Sequence, residues 1–127
     1  MKENIENIQI YTSDTKQINL EVNILNNTVW LSQTQMTELF GRNQPIISKH
    51  INNIFKDGEL EGKRNILKRN IANSDKPVKF YKLDVVISVG YRIKSVEGTR
   101  FRQWATKVLR KHIVDGYTFN KQRIKNN

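Results

Sequence analysis

The chain has no cysteine, only two prolines and only two histidines among its 127 residues. Without thiols it can build neither a disulfide framework nor a thiolate zinc site, which closes the small secreted scaffolds and the zinc fingers. No run of about 18 apolar residues occurs, and Met1-Lys-Glu-Asn-Ile-Glu-Asn7 is polar where a secretory leader would be apolar. No membrane partner is expected, and the expected location is the cytoplasm. Groups for catalysis are equally scarce. His50 and His112 lie in separate segments, neither has a nucleophile or carboxylate at triad or metal-ligand spacing, and no glycine-rich phosphate loop is present. Asp57, Glu59 and Glu61 crowd together but read as a polar turn. The expectation is a protein that is not an enzyme, with no catalytic residue, no metal and no cofactor.

Acidic residues are also in deficit: 22 Lys and Arg stand against 12 Asp and Glu, a formal charge of +10. The imbalance is uneven. Residues 1–31 carry two basic and four acidic side chains (net −2), residues 32–89 ten and six (+4), and residues 90–127 ten and two (+8). Such a surface favours a polyanion partner, because binding releases the polyanion's counterions. The length suits one domain with a hydrophobic core, placed here at residues 1–120, with 121–127 as a frayed basic tail.

The N-terminal third alternates. Ile8-Gln-Ile-Tyr11 and Ile18-Asn-Leu-Glu-Val-Asn-Ile24 have the two-residue period of strands, and Thr28-Val-Trp-Leu31 follows. Asn26-Asn27 tolerates the positive φ of a tight hairpin, so the second and third runs pair. Trp30 and Trp104 each sit in an apolar periodic run and read as core residues rather than base-stacking platforms.

From Leu31 to Phe55 the period becomes helical. Ser32 and Gln35 form a capping-box pattern, Met36, Leu39 and Phe40 share one side, and Gly41 stops the first helix. Gln33, Thr34 and Glu38 face outward. The second helix begins near Asn43 or Gln44 with Pro45 in its first turn, and Ile47, Ile51 and Ile54 make its buried stripe. Asp57-Gly58 closes it. Two helices joined at a glycine turn are the pattern of a helix-turn-helix, although Thr37 is bulkier than the residue often found at the crossing. Lys49, Asn52 and Lys56 lie opposite the isoleucines, free to enter a major groove. Asn52 and Gln44 suit adenine, Lys49 suits guanine or phosphate, and Arg42, Asn43 and Ser48 suit phosphates near the free N–H groups of the helix start.

Ile66 to Ile71 and Val78 to Leu83 are two further β-prone runs, separated by a polar loop at Ala72–Pro77. A hairpin directly after a helix-turn-helix is how a winged helix is arranged, and this wing would carry Lys68, Arg69, Lys76 and Lys79. Asp84 is positioned to cap a helix over 85–93, and a longer helix runs from Glu97 to Val114 and ends at Gly116. Phe101, Trp104, Ala105, Val108, Leu109 and His112 form its inner stripe; Arg100, Lys107, Arg110 and Lys111 lie outward. The predicted fold is α+β, a winged-helix-like helix-turn-helix with small β-hairpins and a C-terminal helical segment. Its predicted role is sequence-specific binding of double-stranded DNA. The alternative is a protein-interaction module whose basic C-terminal helix docks an acidic partner or a second copy. A homodimer is also an expectation, since helix-turn-helix proteins often read paired half-sites.

The segment from Val85 to Asn120 closely resembles the RhuM family of bacterial virulence-associated proteins, through Ile87-Ser-Val-Gly-Tyr-Arg92 and Phe101-Arg-Gln-Trp-Ala-Thr106. Val29-Trp-Leu-Ser-Gln-Thr-Gln-Met-Thr-Glu-Leu-Phe40 is similar to the same family. More distantly, Val89-Gly-Tyr91 and Phe101–Thr106 are similar to the Bro-N domains of phage antirepressors. The resemblance implies a DNA-binding or regulatory domain of mobile or pathogenicity-island origin. RhuM-like proteins are commonly longer, so it also implies an N-terminal module, either part of a longer protein with a C-terminal domain or a short member of the family.

Overall fold

The computed structural model describes residues 7–70 and 75–125, with side chains as far as His112. Its strands are β1 (Asn7–Thr12), β2 (Asn19–Leu25), β3 (Thr28–Ser32), β4 (Ile66–Asn70) and β5 (Pro77–Lys82). Its helices are α1 (Gln33–Phe40), α2 (Gln44–Lys56), α3 (Gly62–Asn65), α4 (Leu83–Arg92) and α5 (Val96–Lys125). The fold is mixed α+β, and all five strands form one antiparallel sheet in the order β1-β2-β3-β5-β4.

Local sequence sets most of the element ends. Asn26 and Asn27 both adopt positive φ, at 56° and 63°, which turns β2 tightly into β3. The Ser32 side chain accepts from the Gln35 backbone N–H at 3.1 Å, and the Gln35 side chain accepts from the Ser32 N–H at 3.0 Å. These reciprocal bonds satisfy two donors that a helix start otherwise leaves unpaired.

The two hairpins, whose relation the sequence pattern leaves open, are joined edge to edge. Leu31 is register partner to Tyr81, and Trp30 to Lys82, so β3 joins them into a single sheet. Buried Leu20, Val22, Ile24, Val29 and Leu31 from the first hairpin then share one core with Tyr81 and with residues from α1, α2, α4 and α5. Joining the sheet buries apolar surface from distant segments in one layer, at about 25 cal/mol per Å² buried.

Three helix boundaries also differ from the expected ones. Residues 62–65, to which the sequence pattern assigns no element, form the single turn α3, where Asn65 donates from Nδ2 to the Glu61 carbonyl at 2.6 Å. Lys82, not Asp84, is the N-cap of α4; Asp84 lies in the first turn, where its charge faces the positive helix end without capping it. The backbone of α5 stays helical past Gly116 to Lys125. One glycine costs a helix only about 1 kcal/mol, so it does not by itself end one. Ile71 and the first part of the 72–77 loop lie outside the described residues, and Leu83 belongs to α4 rather than to the preceding strand.

Helix α5 is fixed to the sheet by aromatic rings. Tyr11 meets Phe101 and Trp104 edge-on with ring centroids 5.2 Å apart in each case. Where α4 and α5 cross, a Cβ built on Gly90 would lie 3.2 Å from the Gly98 Cα and 3.4 Å from a Phe40 ring carbon. Two glycines let these backbones touch. Trp30 is 5% exposed and donates its indole N–H to the Leu25 carbonyl at 2.9 Å, buried on the sheet face opposite Val29 and Leu31 and outside their core cluster. Among the described residues no helix is long and apolar enough to cross a membrane.

Candidate nucleic-acid interface

Gly41 fixes how α2 leaves α1. Its φ of 63° is the left-handed conformation that glycine adopts without steric cost, and its N–H closes α1 on the Thr37 carbonyl at 2.9 Å. Asn43 then caps α2, its Oδ1 accepting from the Ile46 N–H at 3.1 Å. The inner face of α2 is apolar and buried, with Ile47, Ile51 and Ile54 each 2% exposed or less. Burying an Ile side chain is worth about 1.5–3 kcal/mol, so this stripe decides which way the helix faces.

What remains outward is polar. Lys49, Asn52 and Lys56 are exposed at the i, i+3, i+7 spacing of one helix face, with exposed Pro45 at its N-terminal end. Ser48 is half-buried at the flank. The structure therefore brings Lys49, Asn52 and Lys56 together on the face opposite the isoleucines.

The residues at the start of α2 are engaged within the protein. Arg42, itself exposed, donates from Nη1 to the Phe40 carbonyl at 3.2 Å, and the Asn43 oxygen is used by the cap. Gln44 is bound at both ends of its amide: Gln33 Nε2 donates to its Oε1 at 2.6 Å, and its own Nε2 donates to Thr34 Oγ1 at 3.2 Å. Gln33 was not singled out by the sequence pattern. Its outward position on α1 was readable, but the partner eleven residues away depends on the angle of the turn.

The C-terminal end of α2 is held to α4 by charge. Arg92 Nη2 donates to Glu59 Oε1 at 2.9 Å and to Asp57 Oδ2 at 3.3 Å, while Ser88 Oγ donates to Glu59 Oε2 at 2.6 Å. These bonds, Ser88's first and then Arg92's, hold the Glu59 carboxyl below its ordinary pKa. The acidic group at 57–59 is thus a clamp between elements, which no local spacing announces. Nearby on α2, His50 is shifted down by burial first, then by Arg92 and Lys49, which favours its neutral form. Phe55 stacks on Tyr81 with centroids 6.4 Å apart, tying α2 to β5 as well.

On the hairpin, Lys68 and Lys79 are exposed register partners across β4 and β5. Like charges placed opposite each other destabilise a strand pair by a few tenths of a kcal/mol to about 1, a cost that an approaching anion removes. By strand alternation they share the sheet face of Ile66 and Tyr81. Arg69 is half-buried on the other face with Leu67, Val78 and Phe80, so the hairpin cations do not form one patch. Lys76 is exposed just before β5. On α5, Arg100 is paired with Asp14 and Glu97 at 3.2 and 3.1 Å, while Arg102, Lys107, Arg110 and Lys111 are exposed.

No curated protein and no solved structure matches this chain. A family model described as the virulence protein RhuM family does, over residues 60–127. That span takes in β4, β5, α4 and α5, whereas β1 to β3 and the α1–α2 pair precede it. As the matched residues are more than half of the chain, the protein belongs to the virulence protein RhuM family.

Proposed function

We propose that this chain is a sequence-specific double-stranded DNA-binding domain that reads the major groove with α2, and that it serves a transcriptional or mobile-element regulator. One observation carries the reading: Lys49, Asn52 and Lys56 form an exposed polar face on a helix whose other face is fixed in the core, in a protein of charge +10. The β4–β5 hairpin that follows the helix pair, joined to β3 before it, supports a winged-helix arrangement, with Lys68, Lys76 and Lys79 as backbone contacts of the wing. Arg42 and Ser48 flank α2 at the positions that suit phosphates. The proposed setting is the bacterial cytoplasm, with a homodimer on paired half-sites, no enzymatic step and no cofactor. A likeness to phage antirepressor domains rests on Val89–Tyr91 and Phe101–Thr106 and points to the same class of role.

The test is the double variant Lys49→Ala with Asn52→Ala. It is expected to lose binding to a duplex selected by the parent while its melting temperature stays close to the parent's. A double variant that binds every selected duplex as the parent does overturns the assignment of α2.

A second reading has its own observation. Tyr91 is 81% exposed and Val96 58% exposed beside Lys94 and Arg102, around a groove of about 390 Å³ where α4 meets α5. An aromatic and an aliphatic side chain flanked by the two cations Lys94 and Arg102 suit an acidic protein partner at the base of the C-terminal helix. Absence of duplex binding at low salt leaves this reading alone standing.

A further inference from the structure

We infer that Gln33 and Gln44 act as one unit that reads an A·T pair in the major groove, with Gln44 as the contacting residue and Gln33 as its positioning residue. The inference rests on the proposal that α2 reads DNA. Gln44 is the first residue of α2 and exposed; Gln33 is the first residue of α1 and half-buried. Gln33 Nε2 donates to Gln44 Oε1 at 2.6 Å and also lies 3.4 Å from the Gln44 carbonyl oxygen, and Gln44 Nε2 donates to Thr34 Oγ1 at 3.2 Å.

An amide side chain has two lone pairs on oxygen and two hydrogens on nitrogen. The contacts to Gln33 and Thr34 use one of each, which leaves one acceptor site and one donor. Adenine presents an acceptor at N7 and a donor at N6 on its major-groove edge, and one amide with one donor and one acceptor satisfies both. Guanine presents two acceptors there, N7 and O6, and the remaining acceptor of Gln44 would face one of them unpaired.

An exposed hydrogen bond between two side chains adds little to stability, since water offers the same bonds in the unfolded chain. What the Gln33–Gln44 bond supplies is geometry. A long, flexible side chain held in one rotamer before contact has less freedom to lose on binding.

The experiment selects duplexes from a random pool with the full chain and its variants, and measures affinity for selected and unselected duplexes over a salt series. The parent is expected to enrich an A·T pair at one fixed position. Gln44→Ala should lose that enrichment and bind the selected duplex about ten- to a hundredfold more weakly. Gln33→Ala should lose the same preference at the same position, with its melting temperature and its affinity for unselected duplexes unchanged. The double variant should be no weaker than Gln44→Ala, because the two residues act together. Gln33→Glu keeps the side-chain length and suits a helix start, but cannot donate to Gln44, and should lose the preference too.

The pairing is overturned if Gln33→Ala or Gln33→Glu keeps the parent's preference, if the two single losses multiply in the double variant, or if the parent shows no A·T preference at all. Salt-dependent binding of unselected duplexes is a separate arm. Its absence in the parent overturns the DNA-binding proposal itself; its presence with an unaltered preference in the Gln33 variants overturns only the pairing.

Discussion

The two helix pairs of this protein are joined by opposite means. Helices α1 and α2 meet through a left-handed glycine and a polar contact between Gln33 and Gln44, and one of them keeps a charged face in solvent. Helices α4 and α5 meet backbone to backbone at Gly90 and Gly98, with fully buried Phe101 and Ala105 beside them. The family match covers the second pair and not the first. Gly90, Phe101 and Ala105, which lie within the matched span, are accounted for by packing. The face proposed to read DNA lies on α2, outside the matched span.

The sharpest way to break this contrast is to damage the packed pair. Phe101→Ala removes a ring that is 0% exposed and in contact with Tyr11 and Trp104, and should cost about 3–5 kcal/mol of stability by denaturant unfolding. A loss below about 1 kcal/mol would mean that the core there collapses around the gap and that the aromatic cluster does not fix α5. Next in size, Gly90→Val places branched carbons against the Gly98 backbone and should cost about 2–3 kcal/mol. A neutral result would show that the crossing has slack, and would remove the distinction between the two pairs.

Smaller effects follow pH. His50 is shifted down, so the stability it contributes is complete above its ordinary pKa of 6.5 and is lost as pH falls through that range, when the ring must charge. Glu59 is also shifted down; its share is present above the ordinary 4.5 and is lost at lower pH. Melting temperature should therefore fall in two stages on acidification. Arg92→Met is expected to weaken both stages, since it removes a hydrogen bond to the Glu59 carboxylate and a positive charge that helps keep His50 neutral. Smallest of all, Gln33→Ala should change unfolding free energy by no more than about 0.5 kcal/mol, as a residue that aims a side chain rather than holding the fold.

Short-range features were legible before the structure. The Asn26-Asn27 turn, the Ser32–Gln35 capping box, the stop at Gly41 and the Ile47, Ile51, Ile54 stripe each depend on residues within a few positions of one another. The β3–β5 pairing was not, because Leu31 and Tyr81 are fifty residues apart and neither hairpin's alternation specifies its neighbour. The approach of Gly90 to Gly98 and the clamp from Arg92 to Asp57 and Glu59 are hidden for the same reason. Part of the candidate site was readable: helical periodicity alone puts Lys49, Asn52 and Lys56 opposite the isoleucines. The internal bonds of Gln44 were not, since they depend on how two helices cross. Asp84 shows a local pattern that misleads: it has the chemistry of a cap, but the strand before it runs to Lys82 and the helix begins at Leu83.

The central claim is that α2 is a DNA-reading helix. Its most direct test is duplex affinity measured across a salt series for the parent chain and for Lys49→Ala. The account predicts low-salt binding that weakens steeply as salt rises, with the slope of log affinity against log salt reduced by about one in the variant. No duplex binding by the parent at low salt, or identical affinity and slope for the two proteins, would contradict it.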